Sequence, residues 1–185
     1  MNQWRLREAA RCLRLGGVIA YPTEAVWGLG CDPWNRNAVM RLLELKHRPE
    51  HKGLILVAAS EDQIAPLLEP LSAEQRQILR TTWPGPTTWI LPDPRNLIPG
   101  WIKGRHSEVA IRVSAHPLVG ALCNACGGPI VSTSANRSAA EPARTKLKVS
   151  TYFGSELDFL LSGDLGGLSR PTTIRRIADM NTIRE

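Results

Sequence analysis

Short apolar runs alternate with segments of helical period along the chain. Val18-Ile19-Ala20-Tyr21, Leu54-Ile55-Leu56-Val57-Ala58 and Ile130-Val131-Ser132 each suit a buried strand, and amphipathic stretches lie between them. Runs of this length, typified by Leu54 to Ala59, fall far below the ~18 residues that a membrane span requires. Strands and helices interleave with no repeat and no linker. That pattern predicts one α/β domain over residues 4–185, with a twisted mixed β-sheet flanked by helices. A chain of 185 residues can bury a core of useful size, and 43% hydrophobic content excludes a disordered one. The N-terminal Met-Asn-Gln-Trp-Arg, with charged and apolar residues alternating after it, does not read as a signal peptide. The expected setting is therefore cytoplasmic.

An amphipathic helix is expected over residues 3–15, with Trp4, Arg7/Glu8 and Cys12 in helical register and Gly16-Gly17 closing it. Asn35 caps a second helix, Arg36 to Lys46, whose apolar face is Val39, Leu42, Leu43 and Leu45; Pro49 prevents its continuation. The run at 54–58 has no polar face, which predicts burial on both sides. Ser60-Glu61-Asp62-Gln63 and Ser72-Ala73-Glu74-Gln75 read as capping boxes opening short helices. Trp83-Pro84-Gly85-Pro86 is a turn feeding a strand at 87–91, and residues 92–107 form a long loop. A strand at 109–113, a helix at 118–126, a basic stretch at 144–148 and strand pieces at 159–161, 172–177 and 182–184 complete the pattern.

Several signatures fail on inspection. Gly28-Leu29-Gly30-Cys31-Asp32-Pro33 begins like a dinucleotide fingerprint, but Pro33 stands where the third glycine belongs and the run follows a loop. No G-x-x-x-x-G-K-[ST] loop occurs. His47 and His51 have the spacing of two metal ligands on a helix, but Pro49 breaks that face, so they read as solvated loop histidines. Cys123 and Cys126 form a C-x-x-C at a helix end without a second pair. They read as small apolar residues, and the four cysteines do not suggest a disulfide scaffold. No G-x-S-x-G elbow surrounds Ser114, Ser132 or Ser134, so a serine–histidine pair with His106 or His116 is not expected.

Three segments concentrate polar groups at strand ends. Tyr21-Pro22-Thr23-Glu24 places a hydroxyl and a carboxylate after a buried run, followed by Gly28 and Gly30, which allow close backbone approach. Lys46-His47-Arg48-Pro49-Glu50-His51-Lys52 carries three fixed cations just before another. Ser132-Thr133-Ser134-Ala135-Asn136 stands at the carboxyl end of a third, which is where ligands bind in open α/β sheets. With 23 Lys+Arg against 17 Asp+Glu, a formal charge of +6, the chain suits a phosphorylated partner, either a nucleotide or RNA.

In these segments the chain resembles the YrdC-like family, the threonylcarbamoyl-AMP synthases of tRNA modification. The resemblance is carried by Y-P-T-E with W-G-L-G-C, by the K-x-R pair Lys46/Arg48 and by the S-x-N pair Ser134/Asn136. Trp83-Pro84-Gly85-Pro86-Thr87, Ala110-Ile111-Arg112-Val113 and Arg170-Pro171-Thr172-Thr173-Ile174 follow in family order. It covers the chain from about residue 4 onward and matches the short bacterial form, without the C-terminal domain of longer relatives. The resemblance implies that L-threonine and bicarbonate give N-carboxy-threonine, which attacks the α-phosphate of ATP, releasing pyrophosphate and leaving threonylcarbamoyl-adenylate. Partner proteins then transfer the threonylcarbamoyl group to adenosine 37 of tRNAs.

It further implies roles. Lys46 and Arg48 act in catalysis, and with Lys52 they face the triphosphate beside Mg²⁺. Arg48, Lys52, Ser134, Asn136, Pro142 and Arg184 contact ATP. Thr23, Arg112, Ser132 and Thr172 hold threonine, with Arg112 on its carboxylate. The chain departs from the family at Ala139, which replaces a glycine and is expected to force another backbone path near Pro142, and at Arg137, an extra charge. Val57 stands where longer relatives have a histidine. Arg184 is penultimate, so its role requires an ordered tail. Two further readings are a non-catalytic tRNA or double-stranded RNA module with a basic concave face, and a carbamoyl-transfer domain like those of hydrogenase-maturation proteins. Weak tRNA affinity is compatible with the synthase.

Overall fold

A computed structural model of the chain describes residues 2–184. The elements are α1 (Gln3–Arg14), β1 (Ile19–Pro22), β2 (Trp27–Gly30), α2 (Arg36–Leu45), β3 (Ile55–Ala58), α3 (Ala65–Leu68), α4 (Ala73–Thr82), β4 (Thr87–Pro92), α5 (Gly100–Lys103), β5 (Glu108–Val113), α6 (Pro117–Cys126), β6 (Ile130–Ser134), α7 (Lys146–Phe153), β7 (Phe159–Leu160), β8 (Thr173–Arg176) and β9 (Thr182–Arg184). The strands join in the order β7-β1-β2-β6-β3-β5-β4-β8-β9. β1–β7, β3–β5 and β4–β8 are parallel and the other pairs antiparallel, so the sheet is mixed, as expected. No helix among the described residues is long and apolar enough to cross a membrane.

β6 changes partner along its length. Ile130, Val131 and Ser132 pair with β3, whereas Thr133 and Ser134 pair with β2. The side chains of one sheet face, Leu29, Val131, Leu56, Ile111 and Trp89 among them, enter a large core with Leu42 of α2, Leu79 of α4 and Phe153 of α7. On the opposite face Tyr21, Ile130 and Val57 pack under Leu13 of α1 and Val119 and Leu122 of α6. Each fully buried side chain of this size contributes about 1.5–3 kcal/mol. Those two helices cover only part of that face. Beyond them, Ile55, Ala110, Ile90 and Ile174 floor an open cavity.

Several expectations are corrected. The buried stripe of α1 is Leu6, Ala9, Ala10 and Leu13, an i, i+3, i+4, i+7 pattern, while Trp4 is exposed. Ser60 makes no capping bond. Gln63 Oε1 accepts instead from Ala59 N–H at 2.8 Å, opening a 3₁₀ turn, whereas the Ser72–Gln75 box forms in full. Ile55 is only half-buried because it floors the cavity, so β3 is not covered on both faces throughout. The segment 92–107 contains the helical turn α5. It is pinned by Asp93, which accepts from Leu97 and Ile98 N–H and pairs with Lys103 at 2.8 Å. β2 and α7 were not anticipated, and β6 runs on through Ser134.

Candidate active site

The cavity measures about 400 Å³. One end is built from the segment after β1, from β5 and β6, and from the residue before β8. Arg112 is buried there and is held on two sides. Its Nη1 donates to Thr172 Oγ1 at 3.1 Å and its Nη2 to Glu24 Oε2 at 3.3 Å. Its Nε–H is buried without an acceptor among the described residues, so the guanidinium keeps a donor in hand. Glu24 in turn accepts from Ser114 Oγ at 2.6 Å. Thr23 donates its hydroxyl proton to Val26 O at 2.7 Å, which leaves its lone pairs available. Thr23, Arg112, Ser132 and Thr172 thus converge as the sequence indicated, all four lining the cavity. Val57 lies in the apolar layer under α1 and α6 and makes no part of the lining.

Close packing explains the glycines here. A Cβ on Gly30 would lie 2.6 Å from Val131 O and 2.8 Å from Tyr21 Cε1. Tyr21, fully buried, has its phenol pushed up by desolvation and stays protonated.

The other end is cationic. Arg48, Lys52, Lys103, Arg112, Arg176 and Arg184 line the cavity, with Glu108 as the one carboxylate among the described lining residues. Lys103 is neutralised by Asp93, Arg112 by Glu24 and Arg176 by Glu108. Arg48, Lys52 and Arg184 have no carboxylate partner among the described residues. Burial holds the Arg48 guanidinium below its ordinary value. Burial, Arg112 and Arg48 together do the same to Arg184, so these cations share one field. Arg48 is braced on Gly53 O at 2.8 Å. Arg184 is ordered because β9 pairs with β8, and its Nη2 donates to Thr172 O at 2.9 Å. Ser134 and Pro142 line the same half.

Two expected contacts lie elsewhere. Lys46 and Asn136 do not line the cavity. The Lys46 ammonium donates to Ser134 O and, at 2.8 Å, to Asn136 O. Burial and the Arg48 charge pull its pKa down to about 7. Asn136 Oδ1 accepts from Ser134 Oγ at 2.5 Å and its Nδ2 donates to Ala140 O at 2.8 Å. The third free cation of the cavity is therefore Arg184 rather than Lys46. Ala139 itself adopts the left-handed φ of 66° that a glycine would take, and Pro142 lines the cavity.

His47 and His51 are exposed, and no cluster of three metal-ligating side chains occurs among the described residues. Glu108, the one carboxylate among the described lining residues, is engaged by Arg176. Desolvation pushes the Cys123 thiol up to about 12 and that of Cys126 up to about 11, as for small apolar residues. Ser114 accepts from His116 N–H at 3.1 Å, but the His116 ring is engaged by Asp164 O at 3.0 Å; the serine–histidine pair does not form. Arg176 is a lining residue that the sequence reading missed, and Glu24, singled out there as a carboxylate, was given no role.

A family model described as telomere recombination, for Sua5, YciO and YrdC proteins, matches residues 11–185. A relative from Halorhodospira halophila (strain DSM 244 / SL1), named threonylcarbamoyl-AMP synthase, is 56% identical over 172 residues, 93% of this chain and 90% of that protein. One of the same name from Stutzerimonas stutzeri (strain A1501) is 51% identical over 184 residues, 100% of this chain and 98% of its own length. Among solved structures, P. abyssi Sua5 complexed with L-threonine is similar at 30% identity with a TM-score of 0.91. That match covers 98% of this chain and 53% of the Sua5 chain, so the present chain spans about half of that protein.

Proposed function

The chain belongs to the Sua5/YciO/YrdC family, and from that membership and the cavity we propose that it works as a threonylcarbamoyl-AMP synthase. The observation that carries the assignment is the lining of the cavity: the Arg112 guanidinium with the hydroxyls of Thr23, Ser132 and Thr172, together with three cations that no carboxylate of the described residues neutralises.

Arg112 takes the carboxylate of L-threonine through its guanidinium, and Thr23, Ser132 and Thr172 orient the amino acid. The amine, carboxylated from bicarbonate, presents a carbamate oxygen toward the three cations. Arg48, Lys52, Arg184 and Ser134 hold ATP as its Mg²⁺ complex. The carbamate oxygen forms a bond to the α-phosphorus, the bond to the β-phosphate bridging oxygen breaks, and pyrophosphate leaves. Phosphoryl chemistry of this kind is governed by alignment and by neutralisation of developing charge, which fixed guanidinium groups supply without reorganising. The product is a mixed anhydride, held over the apolar floor of Ile55, Ala110, Ile90 and Ile174. Separate proteins would pass its threonylcarbamoyl group to tRNA in the cytoplasm. The alternative of a basic concave face for RNA is less well supported, because three of the six cavity cations are already neutralised by the chain's own carboxylates.

The test is pyrophosphate release from ATP in the presence of threonine, bicarbonate and Mg²⁺. Release that depends on threonine is expected, and Arg48→Ala should lower kcat/KM by about 10²–10³-fold. Release independent of threonine, or none, would refute the assignment.

A further inference from the structure

Lys46 caps the C-terminal end of α2, 4% exposed, yet it makes no part of the cavity wall. Its ammonium is directed at backbone oxygens of the segment that follows β6, namely Ser134 O and, at 2.8 Å, Asn136 O, with Asn136 Oδ1 at 3.5 Å. The same segment returns to the turn that carries Lys46. Ser138 N–H donates to Lys46 O at 2.8 Å, and Ser138 Oγ to His47 O, also at 2.8 Å. Asn136 completes the knot from inside by accepting from Ser134 Oγ and donating to Ala140 O. Partly buried carbonyls that converge in this way need a donor among them, and an apolar side chain would leave them unpaired.

We infer that Lys46 is a positioning residue: it ties the 134–140 segment to the turn bearing Arg48, so that Ser134 Oγ and the Arg48 guanidinium meet a nucleotide phosphate at a fixed separation. In this role Lys46 touches no substrate atom. It acts through Ser134, and its benefit to nucleotide binding is independent of how many phosphates the nucleotide carries. The link to phosphate rests on the synthase assignment; the tie between the two segments does not.

Hydrogen exchange on the ligand-free protein tests the tie directly. In Lys46→Met the amides of residues 134–140 should exchange roughly tenfold faster or more, while those of β3 and β5 keep their protection. Unchanged exchange in 134–140 overturns the inference. Lys46→Gln, whose amide is on too short a stem to reach both Ser134 O and Asn136 O, is read in the same way if the methionine variant does not fold.

Calorimetric titration with ATP and with AMP tests the consequence. Lys46→Met should weaken both nucleotides by about the same factor, on the order of tenfold. Combining it with Ser134→Ala should cost no more than about threefold beyond Ser134→Ala alone, because coupled residues are non-additive. Fully additive losses, or a loss confined to ATP, would mark a direct phosphate ligand and overturn the inference. A wild-type protein that binds no ATP counts against the synthase assignment, while the exchange result still decides whether Lys46 makes the tie.

Discussion

Ala139 occupies a backbone conformation, φ 66°, that glycine adopts at little cost and a residue with a Cβ does not. The expected rerouting does not occur because the surrounding bonds fix the path. Ala140 N–H reaches Arg137 O at 3.0 Å, Ala143 N–H reaches Ala135 O at 3.0 Å, and Asn136 Nδ2 holds Ala140 O. Ala139→Gly should therefore raise the unfolding free energy by about 1 kcal/mol in a denaturant titration; a decrease would show that the angle is not strained. The Arg112–Glu24 pair makes a larger prediction. Both side chains are nearly inaccessible. Arg112→Met should cost about 3–5 kcal/mol of stability by stranding a buried carboxylate, and adding Glu24→Gln should recover most of it. Equal instability of the single and double variants would argue against the pairing. The four residues that the resemblance assigned to threonine line one cavity, since segments of one sheet converge there. Glu24 was visible beside Thr23, but its partner lies 88 positions away and only the sheet brings it near. Lys46 and Asn136 were misplaced for a related reason: a motif gives residue types, not the side of a loop from which each side chain departs.

The elements show the same division between local and long-range information. Ser72 and Ser60 head similar sequences, but only Ser72 accepts from the backbone of its helix, at 3.2 Å from Gln75 N. Ser72→Ala should lower stability by about 1 kcal/mol, and Ser60→Ala should leave it unchanged within error in the same thermal-unfolding series. α1, α2, α4 and α6 were readable because helical period is local, although the buried stripe of α1 was assigned to the wrong residues. β2 was not, since two glycines in four residues carry little strand preference; their place in the sheet follows from Tyr21 and Val131 pressing on Gly30. α7 hid in a basic stretch, although Thr145 accepts from Lys148 N–H at 3.1 Å and Val149 and Phe153 are buried one turn apart. A cap followed by that spacing was the available signal.

At the scale of the whole molecule the surplus charge is distributed unevenly. Internal carboxylates neutralise the cations that shape the cavity and leave Arg48, Lys52 and Arg184 unneutralised among the described residues. ATP affinity should therefore fall roughly tenfold or more between about 0.05 M and about 0.5 M salt. Lys52→Ala and Arg184→Ala should each flatten that dependence in calorimetric titrations, whereas Arg7→Ala on the exposed face of α1 should not. Identical salt curves for all the variants would place the nucleotide elsewhere.

The change of partner along β6 has a metric consequence. Ser132 pairs with β3 and Ser134 with β2, and both line the cavity; in the proposed function the first would serve the amino acid and the second the phosphates. Two residues of extended chain advance about 6.6 Å, and the intervening side chain must point the other way. The strand is thus a ruler with a coarse graduation. The gap between the two substrates can change only in steps of one full pleat, so lengthening the amino acid by a single bond cannot be matched by sliding the strand.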